Sequence, residues 1–230
     1  MERMKRREFI RMIFGTTVAA LLVRHPFRLI AASRSEEWEM PMEGRISFAA
    51  GDVYVNEVRV ESGVLVGEGD TIRTGTGSEA DVEIRDFAVF HLKEKSSVTT
   101  ESILSQPKIR VKKGWFLLIV KRKNGFMVES PTALAGVRGT VIFFNVLDEK
   151  KTYFCDCNGK VTLSDPKTGN PVKNIVSQYH TAFQLNRGTE RVEFERAKLL
   201  YHNDEDILKI ADRFKRETLV FRKDRESKRY

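Results

Sequence analysis

Between Arg45 and Leu185 the chain is cut every few residues by Gly, Asn or Asp, and between the cuts apolar residues alternate with polar ones. That combination excludes a helical body, because a helix needs an uninterrupted apolar stripe at a period near 3.6, whereas strands need only a period of two. In GDVYVNEVRVESGVLVGEGDTIRTG the valines alternate with polar residues across Asn56 and Glu57, then break at Gly63, Gly67 and Gly69. In SEADVEIRDFAVFHL, Ala80, Val82 and Ile84 share one face and Asp81, Glu83 and Arg85 the other, before a turn near Asp86. KIRVKKGWFLLIV and GFMVESPTALAGVRGTVIFFNVL are richer in apolar residues and are expected to cross the middle of the core. The expected fold is all-β: a twisted, glycine-punctuated, multi-strand roll, solenoid-like stack or sandwich over residues 45–187.

The pattern changes near the C-terminus. In YHNDEDILKIADRFKRE, Ile207, Ile210, Ala211 and Phe214 recur at helical spacing. Asn203 or Asp204 can cap the start, and Arg213, Lys215 and Arg216 complement the dipole at the end. One amphipathic helix is expected from about 204 to 217, within an extension covering 188–217, followed by a basic tail over 218–230.

An apolar fraction of 41% supports a globular core. The net charge of +8 would suggest a nucleic-acid partner if it were spread over that core. It is not: residues 1–34 carry +6 and residues 213–230 carry +5, which leaves the body, 35–212, at −3. Nucleic acid is therefore excluded as the expected partner. The uncharged run from Met12 to Val23 is too short to span a bilayer, which takes about 20 residues, and suits a signal-peptide core, so the mature form is expected to lack a transmembrane span. Ahead of it, Arg6-Arg7-Glu8-Phe9-Ile10-Arg11 resembles a twin-arginine export signal, with Lys5 where a small polar residue is usual. The expected layout is a signal over 1–33, cleaved after Ser33, then a linker over 34–44, with a periplasmic mature protein. No phosphate-cradling loop, Ser-His-Asp signature or zinc-protease helix is present, so no enzyme is expected.

Taken in order, these segments resemble the FecR-type domain of bacterial envelope proteins from about Gly51 to Leu163. GDVYVN is similar to the family's opening hairpin. Asp70, Ile72, Thr74, Gly75, Ser78 and Ala80 follow its second run, and Pro131, Ala133, Ala135, Val137, Arg138, Gly139 and Thr140 follow its most distinctive one. Glu57 and Phe87 stand where turn glycines are usual, and Ser130 where a threonine is. The resemblance implies binding or signalling through contacts with another envelope protein. The sigma-factor-binding region and membrane helix of the family's sensors are not matched here, so an anti-sigma role is not expected. The Ala-Gly-Val-Arg-Gly-Thr run asks for close backbone approach and for a buried Arg138, with Asp70 as a candidate partner.

The two cysteines, Cys155 and Cys157, lie in TYFCDCNGKV. In a regular strand Tyr153, Cys155, Cys157, Val161 and Leu163 share the core face, and Phe154, Asp156, Asn158, Lys160, Thr162 and Ser164 the other. A Cys155–Cys157 disulfide is strained in that geometry unless the strand bulges, since alternate Cα atoms lie about 6.5–7 Å apart. Inert packing, redox chemistry and metal binding all remain open. The chain's histidines are His25, His91, His180 and His202. Free-standing exported members of the family are similar in carrying a Cys-x-Cys on this strand, a His after the next and a His before the last helix. That resemblance implies a metal set of Cys155, Cys157, His180 and His202, suited to Zn or another soft transition metal, with haem ranked below.

Overall fold

The computed structural model describes residues 44–85, 88–103, 106–121 and 125–214. The signal, its cleavage site, the linker up to residue 43, the position of Phe87 and the basic tail lie outside them.

The described residues form two sheets that share two long strands. The first half of the chain supplies β1 (Gly44–Ala50), β2 (Val53–Val55), β3 (Val58–Arg59), β4 (Leu65–Val66), β5 (Thr71–Thr74), β6 (Glu79–Ile84), β7 (Ala88–Leu92) and β8 (Ser97–Ser102). The rest are β9 (Lys108–Val120), β10 (Phe126–Glu129), β11 (Leu134–Val137), β12 (Val141–Val146), β13 (Lys151–Ser164), β14 (Pro171–Ser177), β15 (Thr181–Arg187) and β16 (Val192–Arg196). Sheet A runs β4-β1-β6-β7-β9-β12-β13-β15-β16. Sheet B runs β3-β2-β5-β8-β9-β10-β11-β13-β14. The fold is all-β, as the alternation predicts, and its pairings are antiparallel except β9 with β10.

Glycines turn the shared strands from one sheet into the other. Gly114 lies at φ +87 between the sheet B half of β9 and its sheet A half, and a Cβ there would sit 2.5 Å from Ser96 Oγ. Gly159 lies at φ +126 at the equivalent corner of β13, where a Cβ would sit 2.5 Å from Thr140 Cβ. Only glycine meets both demands, a positive φ and an approach with no side chain between.

The main core fills the space between the sheets, with Ile46, Val82, Phe90 and Phe144 from one and Val53, Ile72, Val98 and Val128 from the other. A second core lies on the outer face of sheet A, where Trp115, Leu117, Phe143, Tyr153, Cys155 and Cys157 pack under the single helix of the described residues, α1 (Asp204–Arg213). Residues 215–217 of the expected helix lie outside the description.

This second core revises the face assignments. Asp81, on the polar face of the β6 alternation, is buried beneath α1, whose flank supplies Arg213 as its partner. Val161 and Leu163 belong to the main core while Cys155 and Cys157 belong to the second. The cause is a bulge: Val141 faces Asn158 and Ile142 faces Asp156, which leaves Cys157 as the extra residue on β13. One extra residue reverses the parity of everything after it. Asp156, ahead of the bulge, lies on the Phe154 face of β13 and is buried, and burial pushes its carboxyl up to about 7.

Arg138 also departs from expectation. It is exposed, at the turn by which the chain leaves β11 in sheet B for β12 in sheet A. Asp70 instead organises local turns, accepting from Gly67 N at 2.7 Å and from Asn56 Nδ2 at 2.6 Å. The β2–β3 turn keeps its tight two-residue form without glycine: Asn56 and Glu57 both take positive φ. Glu57 is held there by an ion pair to Arg73.

Candidate metal centre

Cys155 and Cys157 sit on the sheet A half of β13, on one face as alternate residues of a strand. Both are fully buried and not joined in a disulfide, their sulfurs being 3.9 Å apart, well beyond bonding distance. His180 immediately precedes β15, the neighbouring strand, and its Nδ1 lies 3.5 Å from Cys155 Sγ. His202 lies just before α1, and its Nε2 is 3.3 Å from Cys157 Sγ. The four donor atoms all fall within 4.8 Å of one another.

The sulfur–sulfur separation and the two sulfur–nitrogen separations are close to the edges of a tetrahedral ligand shell. With Zn–S near ~2.3 Å and Zn–N near ~2.0–2.1 Å, tetrahedral edges come to about 3.8 Å between sulfurs and about 3.6 Å between sulfur and nitrogen. Each imidazole is also oriented through its other nitrogen. His180 Nε2 is 2.8 Å from Asp204 Oδ1, and His202 Nδ1 is 3.1 Å from the Leu200 carbonyl. Metal-bound histidines are held in this way by a carboxylate or a carbonyl, which fixes the ring and its tautomer. The His202 ring is further stacked on Phe143 at 4.2 Å between centroids.

Backbone strain accompanies the arrangement. His180 takes φ +33, and Tyr201, immediately before His202, takes φ +66. Bulky residues avoid this region, and such strain collects at functional sites. The segment bearing His202 is tied down by Trp115 Nε1 donating to the Tyr201 carbonyl at 2.8 Å. Tyr153 Oη donates to Lys198 O and accepts from Leu200 N, each at 3.0 Å. Burial pushes the Tyr153 phenol up to about 12, so it stays protonated and able to donate.

The hydrogen bond from the Cys157 thiol draws the Cys155 thiol below its ordinary value, against the opposing effect of burial, and His180 and His202 add to the pull. Two buried thiols flanked by two imidazoles offer the donor types that a soft cation takes. His91 is not part of the centre. It is buried between Asp81 and Glu79, while Arg213 donates to both Asp81 oxygens at 2.6 and 2.9 Å.

Sequence reasoning missed Asp204 and Leu200. In the sequence Asp204 is only an alternative to Asn203 as the helix cap; the cap is Asn203, and nothing local marks Asp204 as the partner of a histidine.

Residues 70–162 match the family model described as FecR protein. The chain carries a FecR domain. The matched stretch includes both cysteines but neither histidine, so the candidate centre joins the FecR domain to the segment that follows it. Two crystal structures of a proposed anti-sigma factor from Parabacteroides distasonis are similar at 17% identity and a TM-score of 0.47. They cover 63% and 64% of this chain and 73% and 76% of their own. No curated protein matches the sequence. No described helix is long and apolar enough to cross a membrane.

Proposed function

We propose that the chain is a non-enzymatic FecR-type module of the bacterial periplasm that binds one soft or borderline metal ion, Zn²⁺ first, through Cys155, Cys157, His180 and His202. It acts by contact with another envelope protein, and sigma-factor binding forms no part of the reading. The observation that carries the metal is the convergence of four donors within 4.8 Å, with both imidazoles oriented from behind. Four protein donors fill a tetrahedron and leave no position for water or substrate, which suits a structural or sensing ion rather than a catalytic one. Haem would use at most two of the four, as axial ligands, and so accounts for the set less well.

Export supports the reading from the N-terminal side. The twin-arginine-like stretch would carry the chain across already folded, so the ion can be loaded before transport. The test is metal analysis of protein recovered after export, beside the double variant Cys155→Ser, Cys157→Ser. The parent should hold one ion per chain, and the double variant should lose it and melt at a lower temperature. A metal-free parent, with a double variant that melts at the parent's temperature, would leave the thiols as core packing.

A further inference from the structure

We infer that the ion is a clasp for α1, so that metal loading sets whether the helix stays docked on the outer face of sheet A. This rests on the metal reading above and goes beyond it. Three donors are held by the sheet: Cys155 and Cys157 on β13, and His180 just before β15, its backbone N–H donating to the Cys157 carbonyl at 3.2 Å. The fourth, His202, belongs to the segment that leads into α1. Asp204, the first residue of the helix, holds His180 from behind. An ion here therefore joins the helix to the sheet twice, once through His202 and once through the Asp204–His180 pair.

The helix needs such an attachment. It has ten residues, and isolated helices below about 12–15 residues are marginal in water, so docking decides whether it exists. Its capping box, Asn203 with Asp206, secures the first turn, and Arg213 secures the last by its paired bonds to Asp81. Between them, Ile207, Ile210, Ala211 and Phe214 cover the apolar face that includes Trp115, Leu117 and Phe143. The ladders of sheet A do not run through the ion. Its departure should therefore open the helix locally and leave the strands in place, because α1 keeps only side-chain anchors, Arg213 to Asp81, Lys93 to Asp206 and its apolar face, whereas the strands keep their backbone ladders.

The experiment is amide hydrogen exchange on the full chain before and after chelation, with metal content measured on the same samples. On removal of the ion, exchange over 204–213 should accelerate about tenfold or more while 115–120 and 141–146 stay protected. The full-length variant His202→Ala, which keeps three donors on the sheet, should show the same local opening without chelator. If the ion is present and leaves but exchange over 204–213 is unchanged, the clasp is wrong and the metal reading stands. If no ion is ever bound, both fall. Opening that spreads through the strands would also overturn the clasp, since the ion would then hold the fold as a whole.

Discussion

Asp204 has a role separable from those of the four donors. It touches no sulfur donor in the geometry above but fixes His180 through Nε2 at 2.8 Å. Replacing such an outer partner lowers metal affinity about 10–100-fold without removing a ligand. Asp204→Asn should therefore weaken binding by that factor, read by competition with a chelator of known affinity. An unchanged affinity would leave Asp204 only its place in the acidic first turn of α1. Gly159 makes a different demand. At φ +126, with Thr140 Cβ 2.5 Å from where a Cβ would lie, Gly159→Ala should cost about 3 kcal/mol in urea denaturation. At this scale the sequence was legible where residue type determines behaviour. Two cysteines one residue apart on a strand must come near one another, and a glycine-rich run must serve close approach. Arg138 was not legible, because whether a guanidinium is buried depends on where the chain changes sheets, and no local pattern marks that point.

Among the elements, α1 shows both the reach and the limit of periodicity. Ile207, Ile210, Ala211 and Phe214 announce the helix and its buried face, but they do not say which surface that face meets. The answer is the outer side of sheet A, and it explains why Asp81, on a strand of clean alternation, is buried. Burial alone would raise the Asp81 carboxyl, but its hydrogen bonds to His91 and Arg213, with their charges, hold it below its ordinary value of 3.8. The sign of the consequence follows: stability from this group is fully present above the unfolded value and is lost as pH falls through it towards the folded one. Asp81→Asn should destabilise the chain by about 3 kcal/mol at neutral pH, because Arg213 is left without its buried partner. The variant's stability should also fall less between pH 5 and pH 3 than the parent's, measured by denaturant titration at each pH. A parallel fall in both would mean that other carboxylates govern acid sensitivity. The bulge at Cys157 is the other feature no pattern revealed. A single inserted residue leaves the apolar alternation on each side intact and only exchanges the faces.

For the molecule as a whole, the all-β class and the FecR domain were readable because many short signals agree across the chain: alternation, turn residues and the runs beginning at Asp70 and Pro131. The two-sheet arrangement with shared corner strands was not, since Gly114 and Gly159 look in sequence like any other turn glycine. The centre has the same character. Its cysteines lie inside the FecR match and its histidines outside it, drawn together only by the pairing of β15 with β13 and the return of the chain into α1. On the proposed reading these four residues hold one ion in a closed sulfur–nitrogen shell. X-ray absorption at the metal edge of the exported protein reads that shell itself. Two sulfurs at about 2.3 Å and two nitrogens at about 2.0–2.1 Å around a single ion per chain are expected. A protein without metal, or an ion surrounded only by oxygen and nitrogen, would contradict that reading.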